Sequence, residues 1–154
     1  MYAMRARVIA VVGGREAGEG ELREAREAGR LIAGWGAVLV TGGLGGVMEA
    51  ASLGAAEEGG TVLGILPTDS ALDANPWVGI AVATGMGVGR NVIIARTADA
   101  LVAVGGGYGT LSEIAHALQM RKPVVGIGSW DISGVIPARD AADALRILRE
   151  LPGC

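Results

Sequence analysis

Short apolar runs alternate with helical periodicities along the whole chain. Val8–Val12, Val38–Val40, Thr61–Leu66, Ile80–Ala83, Leu101–Val104 and Val124–Ile127 are largely apolar at successive positions. They predict short strands buried on both faces, as in parallel sheets covered by helices. Between them, Leu22, Ala25, Gly29 and Ile32 recur at helical spacing, with Glu and Arg on the other faces. Leu111, Ile114, Ala115 and Leu118 repeat the pattern, and Ala141, Ala144, Leu145 and Leu148 mark a closing helix. Val92–Ala95 predicts a short helix, whereas Pro67–Val78, with two prolines and Asp69, Asp73 and Asn75, predicts a surface loop. Strand–helix alternation of this kind implies an α/β fold, a Rossmann-like doubly wound parallel sheet flanked by helices, with residues 1–154 as a single domain. On such sheets ligands bind past the carboxyl ends of the strands, at the switch point.

Two of the strands end in glycines. Val104 is followed by Gly105-Gly106-Gly107-Tyr108-Gly109-Thr110-Leu111-Ser112-Glu113, and Val40 by Thr41-Gly42-Gly43-Leu44-Gly45-Gly46-Val47-Met48-Glu49. The two units align at a constant offset of 64 residues. Each reads as a strand, a glycine loop and a helix with Glu in its first turn, and the pair could face each other across one cleft. Glycine permits close backbone approach, and a helix start adds partial positive charge, so each corner is a candidate anion cradle. Neither loop is a dinucleotide fingerprint: Thr110 and Met48 stand where its third glycine belongs, and neither ends in the Gly-Lys-Ser/Thr of a P-loop. Turns of this composition also serve only to pack a helix on a strand, and spacing alone leaves both uses open.

Composition narrows the partners. Hydrophobic residues at 51% against charged residues at 19% imply a large interior for 154 residues. Aromatics at 3% and a net charge of -3, with no long basic run, argue against a nucleic-acid partner. Any anionic ligand then depends on local cations or helix ends. The single cysteine, Cys154, excludes an intrachain disulfide or Cys-based metal site and fits a reducing, cytoplasmic setting. Val8–Val12 is too short for a signal-peptide core, and no apolar stretch nears the ~20 residues that span a bilayer, so no membrane association is expected.

Individual residues admit two uses each. Thr110-x-x-Glu113 has the form of a capping box, with Thr110 as the helix cap. On a helical wheel Glu113 nevertheless points away from the stripe Leu111, Ile114, Ala115 and Leu118, which leaves it free to face a cleft. Arg90 enters a helix after Gly85-Met86-Gly87-Val88-Gly89, where a cation opposes the macrodipole unless an anion lies beside it; an ordinary solvated arginine is the other reading. His116, the only histidine, reads as a surface residue, with orientation of Glu113 as the alternative. Trp35, Trp77 and Trp130 read as packing or subunit contacts, although Trp77, in the long loop, could stack on a base.

These residues together resemble the Lonely Guy family of nucleotide phosphoribohydrolases. The family signature Pro-Gly-Gly-x-Gly-Thr-x-x-Glu is similar to Gly105–Glu113, and its Arg-Lys pair to Arg90-Asn91, with Arg90 nine residues before Asp99 of an Ala-Asp-Ala step. The turn Gly42–Met48 and the Gly-Ile-Leu-Pro ending at Pro67 are also similar, so the likeness spans almost the whole chain. Here Gly105 replaces the signature proline and Asn91 the lysine, the histidine before the arginine is absent, Glu49 stands where glycine is usual, and Gly13-Gly14-Arg15 replaces a glycine-serine phosphate loop. These departures resemble a side branch that is also similar to molybdenum-cofactor carrier proteins and to Rossmann-like bacterial nucleotide-binding proteins of undefined role.

The resemblance implies a nucleotide-binding protein that hydrolyses the N-glycosidic bond of a nucleoside 5′-monophosphate to free base and ribose 5-phosphate. Arg90 and Glu113 would be its catalytic residues. Gly42, Gly43, Gly45, Gly46, Gly106, Gly107, Gly109 and Thr110 would hold the phosphate or nucleotide. The alternative is a non-catalytic carrier of a phosphorylated ligand such as molybdenum cofactor, a pterin-type molecule. Neither reading requires a resident metal or cofactor, and the family implies a homodimer or higher homo-oligomer.

Overall fold

The structure, a computed structural model, describes residues 4–154; residues 1–3 of the expected single domain lie outside the described residues. Seven strands form one sheet: β1 (Val8–Gly13), β2 (Val38–Thr41), β3 (Val62–Leu66), β4 (Ile80–Ala83), β5 (Ala100–Val104), β6 (Val124–Ile127) and β7 (Val135–Ala138). Five helices connect or follow them: α1 (Glu19–Gly34), α2 (Val47–Glu57), α3 (Arg90–Thr97), α4 (Tyr108–Gln119) and α5 (Ala141–Glu150). The strand order is β4-β3-β2-β1-β5-β6-β7 and every pair is parallel. This is the expected Rossmann-like doubly wound α/β fold.

Strict alternation along the central strands sorts the core into two layers. Ile9, Val11, Ala100, Val102 and Val104 meet Ala25, Ala28 and Ile32 of α1, Ala51 of α2 and Leu148 of α5 on one face. Ala10, Val12, Leu101 and Ala103 meet Ile94 of α3 and Ile114 and Ala117 of α4 on the other. The four positions expected to mark the closing helix, Ala141, Ala144, Leu145 and Leu148, are all buried.

Three expectations change. β4 is an edge strand, not a buried one: Ile80 and Val82 are exposed, because no helix covers them. β7 had no sequence signal, since Pro137 interrupts its apolar run; the proline is tolerated because β7 pairs only with β6, at the sheet edge. In α4 the buried face is Thr110, Glu113, Ile114 and Ala117, while Ala115 is exposed. Glu113 is therefore buried, contrary to the wheel.

Helices α1 and α2 pack unusually close. A Cβ on Gly29 would lie 2.0 Å from the Ala51 carbonyl oxygen, and one on Gly54 1.9 Å from that of Arg26. Alanine at Gly54 gains about 1 kcal/mol of helix propensity, but it must push two backbones apart, at about 1–3 kcal/mol or more for an overpacked site. Gly54→Ala is accordingly expected to lower unfolding stability by chemical denaturation; an unchanged or raised midpoint would refute this close packing.

Candidate functional site

Past the carboxyl end of β1 lies a cleft of about 480 Å3. Its position follows from the topology, since β2 and β5 flank β1 and send their helices to opposite faces of the sheet. Gly13, Gly14 and Arg15 extend β1 along its floor. Leu44 and Met48 enter from the β2–α2 corner, Pro67 from the end of β3, Arg90 and Asn91 from the start of α3, and Gly107, Gly109, Thr110 and Glu113 from the β5–α4 corner. The two glycine corners thus share one cleft, although in different ways.

The β5–α4 corner differs from its sequence reading. Helix α4 starts at Tyr108, with Gly107 at the cap position and no side-chain cap. Thr110 is the third helical residue, only 2% exposed, so the Thr110–Glu113 capping box does not form. Glu113 is the sixth residue of the helix and not in its first turn. The first intrahelical bond runs from Leu111 N–H to the Gly107 carbonyl, which leaves the N–H groups of Tyr108, Gly109 and Thr110 without helical acceptors. Gly105 has φ +54°, and a Cβ there would lie 2.4 Å from Glu21 Oε2. Proline, held near −65°, cannot adopt that backbone, so this loop and the proline of the Lonely Guy signature are incompatible. Ser129 Oγ donates to the Gly105 carbonyl (2.6 Å) and Trp130 Nε1 to that of Gly107 (3.0 Å), and Tyr108 stacks on Trp130.

The β2–α2 corner is occupied by its own structure. Gly46 caps α2, the Val47 N–H donates to the Gly14 carbonyl (3.0 Å), and the Gly43 N–H to Thr41 Oγ1 (3.1 Å). Gly42 touches the cleft through Arg90, whose guanidinium fills the space a Cβ would need. Gly43, Gly45, Gly46 and Gly106 do not line the cleft. Glu49 does lie in the first turn of α2.

Arg90 is anchored by backbone and amide groups. Its Nε donates to the Ile65 carbonyl (2.9 Å), Nη2 to that of Gly42 (3.4 Å), and Nη1 to Asn91 Oδ1. Asn91 Nδ2 in turn donates to Ser112 Oγ (3.0 Å) and the Gly109 carbonyl (3.4 Å), so the residue at the family's lysine position works as a strut between Arg90 and α4. Among the described residues, neither Arg90 nor Arg15 is in an ion pair. Burial holds Arg90 below the usual arginine range; Glu113 opposes this shift and the positive charge of Arg15 adds to it. Glu113 is 7% exposed and makes no side-chain hydrogen bond among the described residues. Burial pushes its carboxyl up to about 8, against the pull of Arg90. At neutral pH the cleft therefore presents two cations, free helix-start donors and a largely protonated acid.

The SLOG cluster4 family model matches residues 6–150. The chain belongs to the SLOG cluster4 family. It is 50% identical over 124 residues to an uncharacterised protein of Archaeoglobus fulgidus, covering 80% of this chain and 82% of that one. Among solved structures it is similar to the molybdenum cofactor binding protein of Rippkaea orientalis, at 36% identity and TM-score 0.90, covering 96% of this chain and 98% of that one. It is also similar to the molybdenum cofactor carrier protein of Chlamydomonas reinhardtii, at 38% identity and TM-score 0.85, with the same coverage. Membership of the SLOG cluster4 family is compatible with the Lonely Guy likeness, and is the placement shown.

Of the candidate residues, this SLOG cluster4 protein brings Arg90, Glu113, Gly107, Gly109 and Thr110 into one cleft. Arg15 and Asn91 were not among them. Arg15 had a signal, since it stands in the turn that replaces the glycine-serine loop; Asn91 was read only as a lost lysine. His116 is half-buried outside the cleft. No helix among the described residues is long and apolar enough to cross a membrane. No group of three or more His, Cys, Asp or Glu among them is placed to hold a metal ion.

A carboxyl whose folded pKa exceeds its unfolded value holds its proton more tightly when folded. Its stabilising contribution is complete below the unfolded value of 4.5 and is lost as pH rises through about 8. Between pH 5 and 9 the unfolding free energy should fall by on the order of a few kcal/mol, and Glu113→Gln should flatten most of that slope. Denaturant titrations at both pH values read this directly, and equal slopes in the two proteins would exclude a buried, protonated Glu113.

Proposed function

We propose that the cleft binds a phosphorylated, pterin-type small molecule, such as molybdenum cofactor, and carries it without transforming it. The observation that carries this reading is the pairing of two unneutralised arginines with a buried acid that stays protonated near neutral pH. Arg15 and Arg90 line one cleft without a carboxylate partner among the described residues, an arrangement that an anionic ligand relieves. The backbone N–H groups of Gly109 and Thr110, at the start of α4, would hold the phosphate, with Gly107 giving it close access. Arg90 and Arg15 would neutralise it, and protonated Glu113 would donate a hydrogen bond to a ligand oxygen. Gly42, Gly43, Gly45, Gly46 and Gly106 would shape the two corners that support these groups. The likeness to molybdenum cofactor binding and carrier proteins over almost the whole chain supports the same reading.

Hydrolysis of a nucleoside 5′-monophosphate is the second reading, favoured by Arg90 and Glu113 lining the same cleft. That reaction asks Glu113 to be an anion, to stabilise an oxocarbenium-like sugar or to take a proton from water. Its burial opposes the charge.

Incubation with a panel of nucleoside monophosphates, followed by chromatography for free base, separates the two. The carrier reading expects no release, together with pterin-like absorbance in protein purified from cells that make molybdenum cofactor. Arg90→Gln should reduce the retained pterin by tenfold or more. Release of base that disappears in Glu113→Gln would overturn the carrier reading in favour of the hydrolase.

A further inference from the structure

Beside the cleft lies a second cavity, of about 580 Å3, that the proposed function does not use. Arg15 lines both, so the two are neighbours across one residue. The second cavity is walled by Glu16, Leu22, Glu49, Leu53 and Trp77. This composition suits a flat heterocycle: apolar side chains, one large aromatic ring and carboxylates near one cation.

The aromatic wall is held in place although it lies on a long loop. Asn75, 9% exposed, receives the Trp77 N–H on Oδ1 (3.0 Å) and donates through Nδ2 to the Leu44 carbonyl (2.9 Å). Its own N–H donates to the Gly43 carbonyl (2.8 Å). The loop is thereby clipped to the β2–α2 corner, and Trp77 stays 41% exposed on a fixed backbone. An indole kept partly in water by a buried clip is poorly explained by packing, and a ring stacked on it would bury it. Glu49 leads from the same corner into that cavity, at the position where the resembling enzymes have glycine.

We infer that this cavity is a second subsite, for a ring bearing the 2-amino-4-oxopyrimidine edge that guanines and pterins share, with the attached phosphate on the Arg15 side. Trp77 stacks on the ring. The Glu49 carboxylate accepts the two adjacent N–H donors of that edge, a pairing adenine cannot offer because it has an acceptor where guanine has its ring N–H. Arg15, common to both cavities, lies where a phosphate would join a ring in this subsite to a group in the main cleft. The subsite rests on the cleft being an anion site only for this last linkage.

Titrations of the full chain, followed by calorimetry and tryptophan fluorescence, test it with GMP, AMP, guanosine, adenosine, pterin-6-carboxylate and inorganic phosphate as probes. GMP is expected to bind at least tenfold more tightly than AMP and to change the fluorescence. Trp77→Leu should abolish that change and Glu49→Gln should erase the preference for GMP, while both leave phosphate binding intact. Displacement of GMP by pterin-6-carboxylate identifies a pterin as the ring accepted; its failure to compete identifies guanine. Phosphate binding with equal GMP and AMP affinities would overturn the subsite and leave the cleft. Guanosine, but not adenosine, perturbing Trp77 without any phosphate binding would uphold the subsite and overturn the cleft. Fluorescence changes that persist in Trp77→Leu, or no binding by any probe, would overturn the subsite.

Discussion

The chain winds outward from β1 in two directions, and the rest of the structure depends on that reversal. Right-handed crossovers place α1 and α2 on one face as the sheet grows toward β4, and α4 on the other as it grows toward β7. At the carboxyl end of β1 the neighbouring connections therefore part, and no backbone closes over the gap. Everything polar in the cleft is supplied by chain that leaves the sheet there. Arg90 and Asn91 arrive from farther away, at the start of α3, and the Arg90 guanidinium is clamped by carbonyls of β3 and of the turn after β2.

That clamp explains an electrostatic asymmetry. Carbonyl dipoles and the Asn91 amide accept one N–H from each nitrogen of Arg90 but supply no full negative charge, so its positive charge remains for a ligand. Glu113 would neutralise it if ionised. Its burial without a hydrogen-bond donor raises the cost of ionisation beyond what Arg90 returns, and the carboxyl stays up at about 8. Two groups that the family resemblance pairs as catalytic residues thus behave as a cation beside a neutral donor. This is favourable for holding a phosphate and unfavourable for a reaction that begins with a carboxylate.

Legibility from sequence followed the physical source of each signal. Strands inside the sheet were readable because burial on both faces forces continuous apolar runs, as in Val8–Val12 and Leu101–Val104. At the edges that constraint relaxes: β4 was found but wrongly taken as buried, and β7 was missed because Pro137 is acceptable only where one side of the strand is free. The start of α4 was misplaced by three residues because Thr110-x-x-Glu113 satisfies a capping rule that the glycine loop, by turning more tightly, makes unnecessary. Packing of Ile114 and Ala117 on the sheet sets the buried face and takes Thr110 and Glu113 inward with them. Glu113 and the glycines after β5 were legible together because one loop and one helix carry them, whereas Arg90, on α3, entered through its spacing to Asp99 in the family resemblance. Arg15 carried only the signal of a changed turn after β1, and no local pattern encodes that this turn meets two cavities.

Loss of the signature proline illustrates how one backbone angle reaches the chemistry. Gly105 at φ +54° lets the loop pass against Glu21 and brings α4 to begin at Tyr108. With the helix starting there, Thr110 is packed inside and its N–H, with that of Gly109, is left at the cleft without a capping oxygen. A helix start satisfied by its own threonine and glutamate would have less need of an anion, and would keep Glu113 solvated and charged. Gly105 and Glu113 thus lie on one loop and helix, with the first setting a turn that proline could not make and the second buried at the cleft. The burial of Glu113 is why the carrier reading follows more directly from this geometry than the hydrolase does.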